Sequence, residues 1–478
     1  MPQRPNILFI MTDQQRYDAL GCTGGWVETP HLDRIAARGT RFDCCYTNAP
    51  QCVPTRLSLA TGCYPHTTGV WVNSHHCLSP HTPTWMQAVR AAGYRTSLFG
   101  KTHLHPHTGD LRDREHLLHA YGLDDVDEIG GPRASRQVRS HMTQRWEDLG
   151  LWQLYRDDYA ERFNNVPYVA RPSPLPEEEF ADVYVGQRAK AYLNDYQHAQ
   201  PWCCWVSFGG PHEPWDAPQR WAERYADDAM PPPIPRAEWM RGGDSILAAK
   251  CHNRPGVFTP QEVGAMRANY AGKVSLIDDQ IGQLLAVIEA RGELDTTAIV
   301  FTSDHGEHNG DAGLIYKDTF LDASARIPMI VSAPGQTGGT VADTPCELID
   351  VGPTIAELAG TKLTYRQFGR SLLAATQDPS CAIRDYAVSE FCGEMMLATP
   401  ERKLLLNASG QPYALLDRLA DHDEQHDLRA DPVEATKLNE LRLQALDFLV
   451  HTQLHEAREF TARDADLIAP HSATSPAS

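Results

Sequence analysis

The sequence contains little lysine, few cysteines for its length and no long apolar run. Lysine occurs 8 times against 35 arginines among 478 residues. The 12 cysteines are too sparse for a disulfide-stapled domain. No stretch approaches the roughly 18 consecutive apolar residues of a membrane-spanning helix. The few cysteines and the lack of a long apolar run argue against a small secreted scaffold and against a membrane protein. Because lysines are rare, the position of each one is informative.

The N-terminal region shows no secretory signal. The apolar run 6–11 is too short for the core of a signal peptide, and it leads directly into the polar segment 12–14. Adjacent cysteines such as Cys44 and Cys45 rarely bridge each other. We therefore expect reduced thiols and a cytoplasmic protein.

The charge balance is strongly acidic, with a formal net charge of −19 at pH 7. A field of this sign repels nucleic acid and anionic membrane surfaces, so we expect neither as a partner. An anionic substrate would need a locally basic pocket. The length fits two or three average domains, or one large α/β domain with an appendage. The hydrophobic share of 42% is ordinary for a protein with a large core.

Polar or ionisable side chains follow four predicted strands at the points where the strands end. The strands are 6–11, 95–99, 202–208 and 298–303. Open α/β sheets place their sites at the carboxyl ends of their strands. We therefore expect these side chains to share one site, although a polar loop is the plain alternative for any single one. The side chains are Asp13 and Gln14, Lys101 and His103, His212, and Asp304 and His305.

The segment Cys52-Val53-Pro54-Thr55-Arg56 lies between the first two of these strands. Pro54 and the apolar residues after it predict a helix that begins here. Cys52 would then lie at a helix N-terminus, where free N–H groups and the helix dipole favour an anion. Arg56 falls within the first turn, close enough to hold an oxyanion. A plain buried cysteine and the thiolate of a cysteine hydrolase remain alternatives at this point.

Together these segments resemble the sulfatases, formylglycine-dependent enzymes of the alkaline-phosphatase-like superfamily. The shared elements are an Asn-Ile-Leu-Phe-Ile-Met-x-Asp strand from Asn6, Thr-Pro-His-Leu-Asp from Thr29, Cys-x-Pro-x-Arg from Cys52, Gly-Lys-x-His-Leu from Gly100 and Pro-His-x-Pro from Pro211. Lys317 follows Asp304 by 13 residues, near the spacing of a sulfatase lysine that contacts the sulfate and the leaving-group oxygen. The resemblance implies an α/β fold. Its central sheet would be large, mixed and mostly parallel, flanked by helices, with a small C-terminal antiparallel α+β subdomain.

The chain divides into three predicted parts. We expect a catalytic domain at 1–375, a C-terminal subdomain at 376–460 and a disordered tail at 461–478. Within the first part, 105–180 is interpreted as an insertion that rims the pocket.

Local signals predict several elements of these parts. Thr82 and Pro83 are typical of the start of a helix that would reach Ala92, and Thr259 and Pro260 predict a long helix to about Arg291. The C-terminal subdomain is predicted to contain strands at 386–391, 395–399 and 402–407 and a helix near 433–450.

Four of the strand-end side chains form a predicted cation site. Asp13, Gln14, Asp304 and His305 offer two carboxylates, an amide oxygen and an imidazole, a set suited to one divalent cation. Ca²⁺ is the first expectation, with Mn²⁺ and Mg²⁺ as alternatives. Many sulfatases have an aspartate where this chain has Gln14 and an asparagine where it has His305. The pairs found here resemble a branch that includes phosphonate monoester hydrolases.

The resemblance also implies how the site would work. A maturation enzyme oxidises Cys52 to formylglycine, and a hydroxyl of its hydrate attacks the sulfur of a small anionic sulfate ester. Arg56 and the cation would lower the pKa of that hydroxyl. An alcohol or phenol leaves, and sulfate is released when the second hydroxyl loses its proton. The other implied roles are proton donation to the leaving oxygen by Lys317 or His212, proton removal by His103, charge neutralisation by Lys101 and a substrate contact by Asn73.

Two other functions remain open. A phosphonate monoester or phosphodiester hydrolase on the same fold is suggested by Gln14 and His305. Phosphonate hydrolases of this branch lack a Lys-x-His pair such as Lys101 and His103, so the sequence favours sulfate esters. A noncatalytic metal-binding relative, with Cys52 left as a thiol, is the alternative of another class. The sequence also leaves a homo-oligomer open.

Overall fold

In the computed structural model, which describes residues 4–165, 169–253 and 258–468, an eight-stranded sheet forms the centre of the fold. The strands of the described chain are β1 (Asn6–Asp13), β2 (Thr40–Phe42), β3 (Cys45–Tyr46), β4 (Arg95–Gly100), β5 (Asp125–Glu128), β6 (Trp202–Pro211), β7 (Thr297–Ser303), β8 (Met329–Ser332), β9 (Thr340–Ala342), β10 (Cys346–Glu347), β11 (Ala387–Phe391), β12 (Glu394–Ala398), β13 (Arg402–Leu406) and β14 (Pro412–Asp417). The order across the central sheet is β5-β4-β6-β1-β7-β8-β2-β9. Only β8 in this sheet runs antiparallel to its neighbours, so the prediction of a mixed, mostly parallel sheet is confirmed.

Helices pack on both faces of this sheet. The α-helices of the described chain are α1 (Pro30–Arg38), α2 (Cys52–Thr61), α3 (Pro65–Thr68), α4 (Trp85–Ala91), α5 (Glu115–Ala120), α6 (Gly131–Ala134), α7 (His141–Asp148), α8 (Trp152–Asn165), α9 (Ala181–Asn194), α10 (Gln219–Ala222), α11 (Ile246–Asn253), α12 (Pro260–Ala290), α13 (Asp322–Ala325), α14 (Val351–Leu358), α15 (Leu373–Gln377) and α16 (Ala435–His451). Within the described residues, none of these helices combines the length and the apolar character that a bilayer span requires.

The side chains of β1 alternate between the two faces of the central sheet. Ile7, Phe9 and Met11 pack with α2, α4 and α14 on one face. Leu8 and Ile10 pack with α1, α9 and α12 on the other face. Successive side chains of a strand point to opposite faces, so an unbroken apolar run is what a strand covered on both faces requires.

The C-terminal ends of β4, β6, β1 and β7 lie side by side at one edge of the sheet, because these strands are neighbours and parallel. The register pairs Asp13 with Pro211, Thr12 with Ser303, and Gly100 with Ser207. The polar segments that follow the four strands therefore meet at this edge, as their positions in the sequence predicted.

Helix caps explain one correct and one incorrect prediction. Thr259 caps α12 in a capping box with Glu262, and Pro260 occupies its first turn, close to the predicted boundaries. The predicted cap at Thr82 is wrong. Thr84 caps α4 instead, because its hydroxyl accepts from the Gln87 N–H at 3.2 Å while Gln87 Oε1 accepts from the Thr84 N–H at 3.1 Å. This reciprocal pair satisfies two orphan donors, which a proline in the first turn does not do.

The C-terminal subdomain is an antiparallel sheet of β11, β12, β13 and β14 with α16 packed on it through Leu441, Ala445 and Phe448. Three of its strands and the helix were predicted. The strand β14 was not, because its apolar run covers only residues 413–416 and is followed at once by polar residues. It follows a turn in which Gly410 has a φ of 70°, a conformation that favours glycine.

Two segment interpretations need correction. Residues 105–180 do not form an insertion throughout, since β5 within them is the edge strand beside β4. The predicted tail is ordered over 461–468: Thr461 forms a β-bridge with Leu78, and a 3₁₀ turn covers Asp464–Leu467. The remainder of that tail, 469–478, lies outside the described residues. The division at 376 and 461 otherwise stays a prediction.

Candidate active site

Cys52 is the first residue of α2 and lies at the edge of the sheet where the four strands end. Its side chain is buried. Its Sγ lies 3.2 Å from His305 Nε2 and 3.3 Å from Lys317 Nζ. The residue before it, Gln51, makes no side-chain capping hydrogen bond to the first N–H groups of α2. Cys52 therefore lies at a helix N-terminus, as predicted.

Arg56 connects the helix to two of the strand ends. It lies one helical turn after Cys52, which places both side chains on the same face of α2. Its Nε donates to Asp304 Oδ2 at 2.9 Å and its Nη2 donates to Asp13 Oδ2 at 3.0 Å. Its Nη1 donates to the Lys101 carbonyl at 2.8 Å. All of these contacts are buried, so Arg56 holds the two carboxylates in fixed positions.

The carboxylate of Asp13 is kept ionised by its neighbours. Lys101 Nζ contacts Asp13 Oδ2 directly. Burial would raise the pKa of Asp13, but the charges of Lys101 and Arg56 outweigh burial and hold that pKa well below its usual range. The Asp13 carboxylate is therefore ionised at neutral pH.

A candidate cation site lies between these groups. One ligand atom from each of Asp13, Cys52, Asp304 and His305 lies within 4.8 Å of the others, and all four residues are buried. Gln14 lies beside them, with its Oε1 at 2.6 Å from Lys317 Nζ. Two carboxylates, an amide oxygen and an imidazole in a buried cluster are a donor set that fits one divalent cation.

The environment of Cys52 favours an anion. Burial and the charge of Asp13 disfavour the thiolate, but the charges of Lys101 and Lys317 outweigh them, so the pKa of Cys52 lies below its ordinary value. The pKa of Lys317 is raised instead, because the neighbouring negative charges of Cys52 and Glu213 outweigh its burial. Lys317 therefore stays protonated. Three cationic side chains, Arg56, Lys101 and Lys317, thus meet at this site within an acidic protein.

Two of the three site histidines, His103 and His212, are neutral. Burial and the charge of Lys101 hold the pKa of His103 well below its usual range, and burial and Lys317 do the same for His212. Among the described residues, the buried Nδ1 of His103 has no hydrogen-bond partner. The Nδ1 of His212 lies 2.8 Å from the Glu213 carbonyl, an acceptor, so this nitrogen carries the proton.

Asn73 is itself exposed and lies beside the start of the same helix. Its Oδ1 accepts from the Val53 N–H at 2.9 Å, and its own N–H donates to Gln51 Oε1 at 2.6 Å. The side-chain oxygen of Asn73 thus caps α2 from a distant position in the chain. A substrate contact through its amide nitrogen stays a prediction.

Sequence reasoning missed two buried acids, Glu213 and Glu307, that contact the amide of Gln14. Gln14 Nε2 donates to Glu213 Oε2 at 3.0 Å and to Glu307 Oε2. Burial and the charge of Glu213 raise the pKa of Glu307 to about 7. Glu213 directly follows His212 and Glu307 stands two residues after His305, so an acidic residue close to a strand-end histidine was the available signal.

The loop that carries Lys317 is held in an unusual backbone conformation. Asn309, Ala312, Tyr316 and Asp318 all have positive φ, between 48° and 72°. Left-handed backbone is costly for residues other than glycine and persists only where the surroundings impose it. The loop therefore needs external supports.

Asp311 supplies the main support. Its Oδ2 accepts from Arg16 Nη1 at 2.7 Å and its Oδ1 accepts from Arg267 Nη2 at 2.6 Å. The two arginines also donate to backbone carbonyls of the loop, Arg16 to Glu307 at 3.0 Å and Arg267 to Asn309 at 3.0 Å. The loop is thus fixed to the end of β1 and to α12.

We expect Asp311→Asn to destabilise the protein by about 3–5 kcal/mol, since it breaks a buried charge pair and leaves two buried arginines underpaired. The measurement is the free energy of unfolding from denaturant titration. Asp295→Asn is the matched control, because Asp295 pairs with Arg38 at 2.8 Å on the surface, where an ion pair is worth about 0–1 kcal/mol. If the two variants lowered the free energy of unfolding equally, Asp311 would contribute no more to stability than a surface ion pair.

Comparison with known proteins agrees with this geometry. The sequence pattern of the Sulfatase family matches residues 5–361. The arylsulfatase of Clostridium perfringens is 27% identical over 453 residues, which cover 91% of this chain and 90% of that protein. The choline-sulfatase of Rhizobium meliloti is 29% identical over 445 residues, which cover 91% of this chain and 83% of that protein.

A solved structure shares the fold. The phosphonate monoester hydrolase of Agrobacterium radiobacter superposes with a TM-score of 0.76 at 22% identity, and the match covers 94% of this chain and 96% of that chain. This likeness supports the arrangement of the central sheet and of the C-terminal subdomain.

Proposed function

Because this chain belongs to the sulfatase family of sulfuric ester hydrolases, we propose that it cleaves sulfate monoesters through formylglycine derived from Cys52 and with one bound divalent cation. The products are inorganic sulfate and an alcohol or phenol. The observation that carries the proposal is the position of Cys52 Sγ, at a helix N-terminus between His305 and Lys317.

Two groups complete the site. Asp13, Gln14, Asp304 and His305 would hold the cation, with Ca²⁺ as the first expectation and Mn²⁺ or Mg²⁺ as alternatives. The cation supplies charge stabilisation at the reacting oxygens, and formylglycine, made by a maturation enzyme, supplies the nucleophile. The buried mixed donor set and the low pKa of Cys52 fit both groups.

Lys317 is the better proton donor to the leaving oxygen. It stays protonated, and its Nζ lies beside Cys52 Sγ. Neutral His212 carries its proton on Nδ1, where the Glu213 carbonyl accepts it, so its Nε2 has only a lone pair to offer. Of the two residues that the sequence suggested, we therefore propose Lys317 as the proton donor to the leaving oxygen. His212 Nε2 would act as a hydrogen-bond acceptor in the same site.

His103 is suited to remove a proton. Its imidazole is neutral, and its Nδ1 has no partner among the described residues. A neutral imidazole has a free lone pair that can accept a proton. Lys101 and Arg56 place positive charge near the sulfate oxygens, where charge grows in the transition state.

Phosphonate monoester hydrolysis is the second candidate, because Gln14 and His305 both lie at the cation site. A phosphonate monoester carries one negative charge, as a sulfate monoester does, so charge alone does not separate them. Lys101 and His103 are the residues whose protons and charge favour sulfate.

The deciding measurement compares kcat/KM for an aryl sulfate and for the matched phenylphosphonate ester. We expect the sulfate to be preferred, and we expect Lys101→Gln combined with His103→Gln to narrow or invert the ratio. Lys190→Gln with His198→Gln, which changes surface residues on and after α9, serves as the control and should leave the ratio unchanged. A wild-type preference for the phosphonate of tenfold, about 1.4 kcal/mol at the transition state, would replace the sulfatase proposal by the phosphonate one.

A further inference from the structure

The amide of Gln14 has its nitrogen and its oxygen in opposite environments. Its Nε2 donates to two carboxylates, Glu213 at 3.0 Å and Glu307. Its Oε1 accepts from Lys317 Nζ at 2.6 Å, on the side of Cys52. The side chain is 1% exposed, so water does not compete for these contacts. The backbone of Gln14, with a φ of 69°, is fixed as well, since Tyr270 donates its hydroxyl to the Gln14 carbonyl at 2.7 Å.

From this arrangement we infer that Glu213 and Glu307 are positioning residues, which orient the Gln14 amide so that its oxygen, and not its nitrogen, faces the cation. The inference rests on the proposed cation site. An amide nitrogen is a donor and does not bind a metal ion, whereas an amide oxygen does. The orientation of the amide therefore decides whether Gln14 is a ligand.

The second carboxylate oxygen of each acid accepts hydrogen bonds from other residues. Glu213 Oε1 accepts from Arg133 Nη2 at 2.8 Å. Glu307 Oε1 accepts from the Asn309 N–H at 2.9 Å and from the Tyr316 N–H at 2.5 Å. Each acid thus uses one oxygen for these donors and presents the other to Gln14, and Glu213 Oε2 also lies 3.1 Å from His212 Nδ1. Glu307 is held more firmly than Glu213, because its donors are two backbone N–H groups whereas the Arg133 side chain is largely exposed.

The same contacts explain why this position is a glutamine. An aspartate or glutamate at position 14 would place a third carboxylate against Glu213 and Glu307 in a buried site, which costs free energy. An amide lets the two acids act as hydrogen-bond acceptors and keeps one oxygen for the cation.

The test measures cation affinity of the metal-free full chain by calorimetric titration with CaCl₂ and MnCl₂. Glu307→Gln should weaken binding by about 10–100-fold, the usual cost of losing a partner behind a metal ligand. In this variant the oxygen of Gln at 307 stays with the Asn309 and Tyr316 N–H groups, so its amide nitrogen faces Gln14 Nε2. Two donors repel, and the Gln14 amide turns its nitrogen to the cation. Glu213→Gln should act in the same direction, because Arg133 keeps its oxygen.

A reciprocal exchange tests the orientation itself. Gln14→Glu combined with Glu213→Gln and Glu307→Gln restores a donor opposite an acceptor at both contacts of the side chain at position 14, and a carboxylate there presents an oxygen to the cation in either orientation. The triple variant should therefore recover most of the affinity lost in Glu307→Gln. Asp216→Asn is the matched control, since Asp216 is buried three residues from Glu213 but bonds Lys273 at 3.1 Å. The cation affinity of the Asp216→Asn variant should equal that of the wild-type chain.

Three results would overturn the inference. Unchanged affinity in both single variants, or equal weakening in Asp216→Asn, would show that the acids do not orient Gln14. Failure of the triple variant to recover any affinity, with its fold confirmed by circular dichroism, would argue the same. If the wild-type chain binds neither cation, the proposed cation site fails with it, whereas wild-type binding with unaffected variants removes the positioning role alone.

Discussion

Cys52→Ala should lower kcat/KM for sulfate ester hydrolysis by about 10⁴-fold or more, because covalent catalysis does not survive loss of its nucleophile. The fold should stay intact, since alanine suits the first turn of α2 and Arg56 keeps its contacts with Asp13 and Asp304. The measurement is release of inorganic sulfate from an aryl sulfate, together with the denaturant midpoint.

Cys63→Ala is the matched control for this variant. Cys63 is equally buried and stands just after the other end of α2, where its Sγ contacts the Thr61 carbonyl at 3.8 Å. Its loss should leave turnover within a few-fold of wild type. Intact-protein mass spectrometry gives a second readout, because conversion of Cys52 to the aldehyde removes about 18 Da. A chain with an unmodified thiol and no turnover would be the noncatalytic relative, and full activity in Cys52→Ala would remove the nucleophile assignment.

Removal of the cation should abolish activity to a similar extent. Treatment with a chelator should lower kcat/KM by about 10³-fold or more, roughly 4 kcal/mol, since the charge opposite the reacting oxygens is lost. Re-addition of CaCl₂, MnCl₂ or MgCl₂ identifies the cation. Asp304→Asn should have the same effect permanently, because one carboxylate then leaves the donor set and Arg56 Nε loses its charged acceptor.

The control for Asp304→Asn is Asp278→Asn. Asp278 is 1% exposed, and within the described part of the chain its oxygens accept from the His31 and Leu32 N–H groups at the start of α1. This variant should keep about one ion per chain by metal analysis. A fully active, metal-free wild-type preparation would contradict the proposed cation site, while the assignment of Cys52 would stand.

The sequence by itself determined the parts of this protein that depend on neighbours along the chain. The strands β1, β6 and β7 were predicted because a largely apolar run bounded by polar residues is what a strand buried on both faces requires. The start of α12 was predicted because Thr259, Pro260 and Glu262 act within one helical turn. The strand-end side chains could be assigned to one candidate site because parallel strands bring their carboxyl ends to one edge.

Only the tertiary structure decided what depends on contacts between distant positions. Gln14 is oriented by Glu213 and Glu307, which follow it by 199 and 293 residues. Asp311 supports the Lys317 loop through Arg16, 295 residues earlier, and through Arg267 on α12. The edge strand β5 was likewise missed, because it is only four residues long and only its pairing with β4 identifies it. Such contacts leave no periodic pattern in the chain, because each joins one side chain to a partner that the fold alone brings near.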